Sequence, residues 1–493
     1  MFANLLLAAA SAGGALALWT RGGAGQAGAG AFGLLSLWQL YCARTPKPDP
    51  RGPVILRLGG FTWDVFSFCR GWLITGQVGT GKTMAAINTM LWQVSKNCPT
   101  WGGVCVDDKG LYWETLSSML GHLGRASDLI LLQVRPENAG PDWKPAHCFN
   151  FLDNPHLPYS AKAKIVCDVA ASLGQRSDQS FFRMQAQVQI EFAFKALHCA
   201  GLPVTLAAAH EFFASDTLML EIMGMVEKQA TPEAQLLADH FLESWLVQPA
   251  EQLGGIKTTI GNYLNYFTDP DIAEIACPAK STFNFDDIDR GKIICLSIPQ
   301  RFQVERRYLS TLLKLTYYTH ALRRFDKPAA ARATDNLLIF WADEAQKTVT
   351  ASDDGMSDYN VVDVIREARA TVVAATQSYA SLIPPMGDER KAKVFIANMA
   401  NRVTFCAADE DSAKIAADTL GKKKSKRRTE GYSAGRRTTS VTDEDKYVFE
   451  PHELRKLKQF EAVVQHCDDG FRKLTIPPMG MDGKLPAWYR RRN

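Results

Sequence analysis

The stretch from Gly76 to Thr83 constrains the fold of this chain more than any other feature. It reads Gly-Gln-Val-Gly-Thr-Gly-Lys-Thr and matches the phosphate-binding pattern G-x-x-x-x-G-K-[ST] at every fixed position. An apolar, β-prone run at 72–75 precedes it, and an apolar run at helical spacing, 84–91, follows it. Strand, glycine-rich turn and helix are the context in which this motif works. The sequence therefore predicts an α/β domain with a site for a nucleoside triphosphate.

Each residue type in this P-loop has a physical task. The three glycines allow a tight turn that points consecutive backbone N–H groups inward, at a helix N-terminus that favours an anion. Lys82 can reach the β- and γ-phosphates, and the Thr83 hydroxyl can ligate Mg²⁺. The predicted ATP-binding residues are Gly76, Gln77, Val78, Gly79, Thr80, Gly81, Lys82 and Thr83.

A second motif lies far downstream, where the apolar run 337–342 ends in Asp343 and Glu344. This is a Walker B pattern, in which Asp343 would hold Mg²⁺ through its water shell. Glu344 would polarise the attacking water as general base or positioner. A second carboxylate at this place favours hydrolysis over nucleotide sensing alone.

Gln377 follows the next apolar run, 371–376. In a RecA-like fold its amide would lie beside the γ-phosphate and could report phosphate loss, although a glutamine can also simply cap a strand. Arg366 or Arg369 could reach the phosphate of a neighbouring subunit as an arginine finger. Either could equally form an ordinary surface ion pair, and the residues alone do not choose between them.

The N-terminus differs in character from the rest of the chain. Residues 2–20 and 22–43 carry no charge, and each approaches the roughly 20 residues that a spanning helix needs. Arg44, Lys47 and Arg51 follow, which places that end inside by the positive-inside rule. We expect a transmembrane helical hairpin over 1–45 with the ATPase body in the cytoplasm. A soluble, glycine- and alanine-rich tail is the alternative.

The body contains seven strand-like runs that are mostly apolar throughout, as parallel strands covered on both faces are. They are 72–75, 103–106, 129–134, 292–298, 337–342, 371–376 and 402–406. Residues 159–280 read instead as helices, so we expect an all-α domain inserted between the two parts of the nucleotide-binding domain, 46–158 and 281–493. Eleven scattered cysteines without a C-x-x-C pair fit buried thiols in a reducing compartment.

The segment 421–446 is poor in apolar residues, and we expect an exposed, mobile loop there. It holds eight basic residues against Glu430 between positions 422 and 437, interleaved with serine and threonine. Such a loop can follow the phosphates of single-stranded DNA without reading sequence. A solvated loop, or one lying on anionic lipid, is the alternative.

These motifs, in this order, resemble the type IV coupling proteins, the membrane-anchored ATPases of bacterial conjugation and type IV secretion. The resemblance covers almost the whole chain. Besides the anchor, the P-loop, Asp343-Glu344 and Ala375-Thr-Gln-Ser378, it rests on four further segments. They are Asp107-Asp-Lys-Gly110, Phe149-Asn-Phe-Leu-Asp153, 283–292 and 398–405; Phe151 stands where the family has proline.

The resemblance implies a RecA-like P-loop motor that uses ATP and Mg²⁺ and assembles as a homo-hexamer around a channel. It implies that the all-α domain helps recruit the relaxosome or a secretion substrate, and that the motor couples ATP hydrolysis to export of single-stranded DNA with its relaxase. The partners implied are type IV secretion channel proteins at the bacterial inner membrane. The family's arginine falls on Arg366, eleven positions before Gln377. The catalytic residues expected are thus Glu344, Lys82, Gln377 and Arg366.

Two other functions remain open from the residues. A double-stranded DNA pump of the septal translocase type usually ends in a winged-helix module, and nothing after Cys467 is long enough for one. A membrane receptor that presents protein effectors and uses ATP only to assemble would not need the pair Asp343-Glu344.

Overall fold

The computed structural model describes residues 52–106, 108–174, 180–352, 355–433 and 436–490. The predicted membrane hairpin over 1–45 and Asp107 lie outside these residues. Within them, no helix combines the length and the apolar character needed to cross a bilayer.

A nine-stranded mixed sheet forms the centre of the body, which comprises residues Val54–Asn493. Its strands are β3 (Trp72–Thr75), β4 (Gly102–Val106), β5 (Leu129–Gln133), β6 (Ile293–Ser297), β7 (Leu338–Ala342), β8 (Ala370–Thr376), β9 (Asn401–Thr404), β12 (Glu461–His466) and β13 (Gly470–Thr475). The order is β13-β12-β9-β3-β8-β7-β4-β6-β5. The seven strands from β9 to β5 are parallel, while β12 runs antiparallel to β9 and β13 antiparallel to β12.

All seven parallel strands lie where the apolar runs predict them, and the α/β core is confirmed. They are apolar on both faces because helices cover both sides of the sheet. Along β7, Leu338 and Phe340 join one hydrophobic cluster, whereas Ile339 and Trp341 join the other. Two further short strands, β1 (Leu56–Leu58) and β2 (Phe61–Trp63), form an antiparallel hairpin before the P-loop strand.

Helices fill the connections between the strands. They are α1 (Val65–Phe68), α2 (Asn88–Asn97), α3 (Tyr112–His122), α4 (Tyr159–Ser172), α5 (Ser180–Cys199), α6 (Leu206–Ala214), α7 (Asp216–Glu227), α8 (Pro232–Ala238), α9 (Ala250–Leu264), α10 (Pro270–Ala276), α11 (Gln303–Arg323), α12 (Ala329–Arg332), α13 (Asp358–Val361), α14 (Ile383–Met386), α15 (Glu389–Asn398), α16 (Glu410–Leu420), α17 (Pro451–Leu454) and α18 (Ala487–Arg490). A π-helical turn, Lys82–Ile87, leads into α2. Helix α2 covers one face of the sheet and the long helix α11 covers the other.

The helices α4 to α10 follow one another between β5 and β6, where the sequence predicts the all-α insertion. The chain leaves and re-enters the core at adjacent points, as an insertion requires. The Thr282 N–H and hydroxyl both donate to the Cys148 carbonyl there, and the Cys148 N–H donates to the Thr282 hydroxyl. The rings of Phe149 and Phe283 stack with centroids 5.2 Å apart. The separate domain over 159–280 stays a prediction, because Val54–Asn493 forms a single compact unit.

The basic segment is not a loop, contrary to our expectation. Strands β10 (Lys422–Ser433) and β11 (Arg436–Tyr447) pair in register as a two-stranded antiparallel ribbon. The ribbon has no alternating apolar face, which is why hydrophobic periodicity did not reveal it. Its base is anchored to α16, where the Tyr447 hydroxyl donates to Asp418 at 2.7 Å.

Candidate nucleotide-binding site

The P-loop connects the carboxyl end of β3 to the π-helical turn that begins at Lys82. Its three glycines have positive φ angles, 153° at Gly76, 80° at Gly79 and 109° at Gly81. The tip of the loop is exposed, with Val78 at 77% of its full accessibility. Thr80 is buried, and its hydroxyl donates to the Gln77 carbonyl at 2.8 Å. The loop therefore has the tight turn that a phosphate cradle requires.

Segments that are distant in sequence support the P-loop through hydrogen bonds to its backbone. The Gln77 N–H donates to the Cys406 carbonyl at 2.8 Å, just beyond β9. The Phe460 N–H donates to the Thr80 carbonyl at 2.9 Å, and the Gln459 amide donates to the Gly79 carbonyl at 3.1 Å. These supporting residues carry no motif, so the sequence offers no signal for them.

Lys82 curls over the loop, where its ammonium donates to the Gly76 carbonyl at 2.6 Å and to the Gln77 carbonyl at 3.2 Å. Burial lowers the pKa of Lys82, while the nearby carboxylates of Glu344 and Asp343 act in the opposite direction. A partly desolvated cation next to backbone N–H groups is suited to bind the terminal phosphates of a nucleotide.

Thr83 and Asp343 are 260 residues apart in sequence but adjacent in the fold, with the Thr83 hydroxyl donating to Asp343 Oδ2 at 2.9 Å. Asp343 follows β7, and its N–H donates to the Val106 carbonyl at the end of β4. Hydroxyl and carboxylate oxygens are the ligands that Mg²⁺ prefers. The pair fits the predicted Mg²⁺ site.

Glu344 and Gln377 are also brought together. Strand β8 lies between β3 and β7, so Gln377 at its end lies between the P-loop and the Walker B residues. The Gln377 amide nitrogen approaches the two carboxylate oxygens of Glu344 at 3.4 and 3.3 Å. Gln346 donates to Glu344 Oε2 at 2.6 Å and accepts from the Thr376 hydroxyl at 2.8 Å. The sequence analysis did not predict a role for Gln346, although its position two residues after Glu344 could have indicated one.

The element after β4 also contacts this region. Asp108 lies 3.5 Å from the guanidinium of the buried residue Arg306, on α11. Lys109 is exposed and close enough to Lys82 to depress the pKa of that lysine slightly further.

Arg366 and Arg369 lie at the opposite ends of the strands from the P-loop. Both precede β8, and β8 runs parallel to β3, so they lie at the amino ends of the strands. Arg366 is exposed. Arg369 has a left-handed backbone, φ 54°, and donates to the Ala333 carbonyl at 2.6 Å. Neither arginine belongs to the site of its own subunit, so the finger assigned to Arg366 stays a prediction that requires a second subunit.

Comparisons with known proteins agree with this geometry. Residues 338–459 match the family model described as the TraM recognition site of TraD and TraG. That range runs from β7 to Gln459, which braces the P-loop. Comparison with curated protein sequences gives no match.

Three solved structures of one protein share the fold. The unbound bacterial conjugative coupling protein TrwBdeltaN70 is 15% identical, with a TM-score of 0.63 over 88% of this chain and 91% of that chain. TrwB with a non-hydrolysable GTP analogue is 15% identical, with a TM-score of 0.61 over 91% and 94%. TrwB with ADP and Mg²⁺ is 14% identical, with a TM-score of 0.60 over the same shares.

The family-model match over residues 338–459 and the fold shared with TrwB both agree with the family that the ordered motifs resemble.

Proposed function

We propose that the chain is a membrane-anchored, ATP-driven coupling protein. In this function it recruits single-stranded DNA with its relaxase and moves it into a conjugation or type IV secretion channel. The proposal depends on four side chains that meet at the carboxyl ends of the central strands, those of Thr83, Asp343, Glu344 and Gln377. The resemblance to conjugative coupling proteins supports the choice of cargo, and the match to a TraM recognition site supports a relaxosome partner.

The residues have distinct roles in hydrolysis. The P-loop N–H groups and Lys82 bind the phosphates, and Thr83 and Asp343 are the side chains that would hold Mg²⁺. The bound ion would neutralise charge on the phosphates, as it does in other P-loop enzymes. Glu344 orients the attacking water and accepts its proton. Gln377 and Gln346, both within hydrogen-bonding distance of Glu344, hold that carboxylate in place and can respond to loss of the γ-phosphate.

The assembly is part of the proposal. Because Arg366 lies at the edge of the sheet away from its own P-loop, it can act only on the nucleotide of a neighbouring subunit. A ring in which each site is completed by the next subunit accounts for this placement, and we propose a homo-hexamer at the bacterial inner membrane with residues 1–45 as the anchor.

The test is ATP turnover by the full chain with and without single-stranded DNA. We expect DNA-stimulated hydrolysis, and we expect Glu344→Gln to reduce kcat at least about 100-fold, as loss of a general base does. That variant should still bind MgADP, because it retains Lys82, Thr83 and Asp343. Stimulation by duplex DNA alone would favour a double-stranded DNA pump. No turnover under any condition would contradict the motor and favour an effector receptor.

A further inference from the structure

Glu344 has a backbone conformation that is unusual for its residue type. Its φ and ψ angles are 58° and 50°, in the left-handed region, and it begins the turn Ala345–Lys347. Residues other than glycine keep this backbone conformation only where the surrounding structure enforces it, and such residues cluster at functional sites. Something must therefore hold the segment that follows Glu344.

Helix α11 supplies that support through two cationic side chains. Arg307 Nε donates to the carbonyl of Lys347 at 3.2 Å. One residue further, the Lys314 ammonium donates to the carbonyl of Thr348. Each cation thus binds the backbone within four residues of Glu344, and the two lie seven positions apart on the helix, on the same side.

Lys314 is fully enclosed and is itself held in place. It is 1% exposed, and it contacts the carboxylate of Asp358, which is 2% exposed. Asp358 Oδ2 also accepts from the backbone and the hydroxyl of Thr350, at 2.7 and 3.1 Å. The Tyr318 hydroxyl donates to Asp358 Oδ1 at 2.5 Å. The segment 347–350 is therefore attached to α11 by a buried, charge-assisted network, in which hydrogen bonds are strong.

A small cavity lies between α11 and the Walker B residues. Its lining includes Asp343 and Glu344 from one side and Arg306, Arg307 and Ser310 from the other. Arg306 is 1% exposed and donates to the Ile298 carbonyl at 3.1 Å, which fixes this end of the helix to the end of β6. The cationic side of α11 therefore faces the catalytic carboxylates across this cavity.

We propose that Arg307 and Lys314 are positioning residues for ATP hydrolysis. They hold the backbone of residues 347–350 and so keep Glu344 in the left-handed conformation that aims its carboxylate at Gln346 and Gln377. This inference rests on the proposed function, because it concerns the geometry of the general base. Neither residue touches the nucleotide in this role, so their loss should impair chemistry and spare binding.

Arg307→Met is the decisive variant, because Arg307 is only partly buried and its removal leaves the Lys314 network intact. In steady-state hydrolysis of MgATP by the full chain, we expect kcat to fall about tenfold, as for a small misplacement of a catalytic group. We expect KM to stay within about twofold, since binding interactions are unchanged. Arg307→Lys should recover most of kcat, because an ammonium can still donate to the Lys347 carbonyl.

Arg323→Met is the matched control. Arg323 lies at the far end of α11, where it donates to Asp286 at 2.7 Å. A role in helix stability alone would lower activity equally in both methionine variants and would not respond to Arg307→Lys. Thr350→Val tests the Lys314 branch with a smaller change, and we expect a lower kcat with unchanged KM there too.

An Arg307→Met enzyme with the kcat of the wild type, or one impaired no more than Arg323→Met, would overturn the inference and leave the proposed function intact. Absence of hydrolysis by the wild type would overturn both.

Discussion

Gly81 requires glycine for two separate physical reasons. Its φ of 109° is outside the range that other residues adopt comfortably, and a Cβ there would lie 2.6 Å from Cδ1 of the Phe460 ring. Gly79 has a φ of 80° but open space around its Cβ position. A side chain at Gly79 would therefore cause backbone strain alone, whereas one at Gly81 would cause both backbone strain and steric overlap.

We predict that Gly81→Ala destabilises the protein more than Gly79→Ala. The Gly79 variant should lose about 1 to 2 kcal/mol from left-handed backbone strain. The Gly81 variant should lose about 1 to 3 kcal/mol more, because the ring of Phe460 must move. Urea unfolding of both variants without nucleotide measures the difference. Equal losses would show that the Phe460 ring gives way to a Cβ at position 81 at little cost.

At the scale of elements, the turn Phe285–Arg290 is joined to α11 by a cluster of charges around the buried side chain of His320. His320 lies between Asp286 and Asp289, at 3.3 and 3.1 Å. Burial opposes its charge, but the two carboxylates outweigh burial and raise the pKa of His320. Arg323 donates to Asp286 at 2.7 Å, and Arg324 donates to Asp289 at 2.5 Å.

This cluster predicts a pH dependence of stability. A raised folded-state pKa stabilises the protein fully below the unfolded value of about 6.5, and the contribution is lost as pH rises through the folded value. The free energy of unfolding of the wild type relative to His320→Gln should therefore be greatest below about pH 6.5 and shrink as the pH rises above that value. Urea unfolding of both proteins across this range is the measurement, and a constant difference would contradict the assignment.

The β10–β11 ribbon places opposite charges face to face. Lys424 pairs with Asp445 and Lys426 with Asp443, and Arg427 lies 4.0 Å from Glu444. These acidic residues follow the basic run in sequence, and the pairing of the two strands places them beside its lysines and Arg427. They therefore partly neutralise the positive charge at the base of the ribbon. They would also compete with phosphates for the same cations.

We therefore predict that Asp443→Asn, Glu444→Gln and Asp445→Asn together strengthen binding of single-stranded DNA about three- to tenfold at low salt and steepen its salt dependence. Fluorescence anisotropy at several salt concentrations is the measurement. The control removes the same charge from exposed positions in the insertion, Glu221, Glu227 and Glu233. An equal gain in the control would mean that net charge alone matters.

At the scale of the whole molecule, the sheet separates the two halves of the predicted catalytic site. Lys82 lies at the carboxyl ends of the strands and Arg366 at their amino ends, so the predicted arginine finger would have to act on the site of a neighbouring subunit. Lys82→Ala and Arg366→Ala should each abolish hydrolysis. A mixture of the two variants should regain activity, because an intact P-loop then meets an intact arginine at some interfaces. No recovery would contradict an arginine finger at this position, and Arg369→Ala tests the alternative residue.

Much of the core could be predicted because its signals are local. The run 337–342 is apolar throughout, which identifies a strand covered on both faces and so a parallel sheet. The ribbon was not predicted because 422–447 is mostly polar, and its strands are joined by backbone pairing that hydrophobic periodicity does not reveal. The short strands β1 and β2 were missed because three residues carry too little periodicity.

The sequence by itself determined the phosphate cradle, the strand that ends in Asp343-Glu344 and the α/β class of the core, because each depends on neighbouring residues. Only the tertiary structure decided that Thr83 meets Asp343 across 260 positions, and that Gln459 and Phe460 brace the P-loop. It also decided that Arg307 and Lys314 hold the segment after Glu344. These contacts join residues that no local pattern relates, since their proximity depends on the order in which the strands pair and on the helix that covers them.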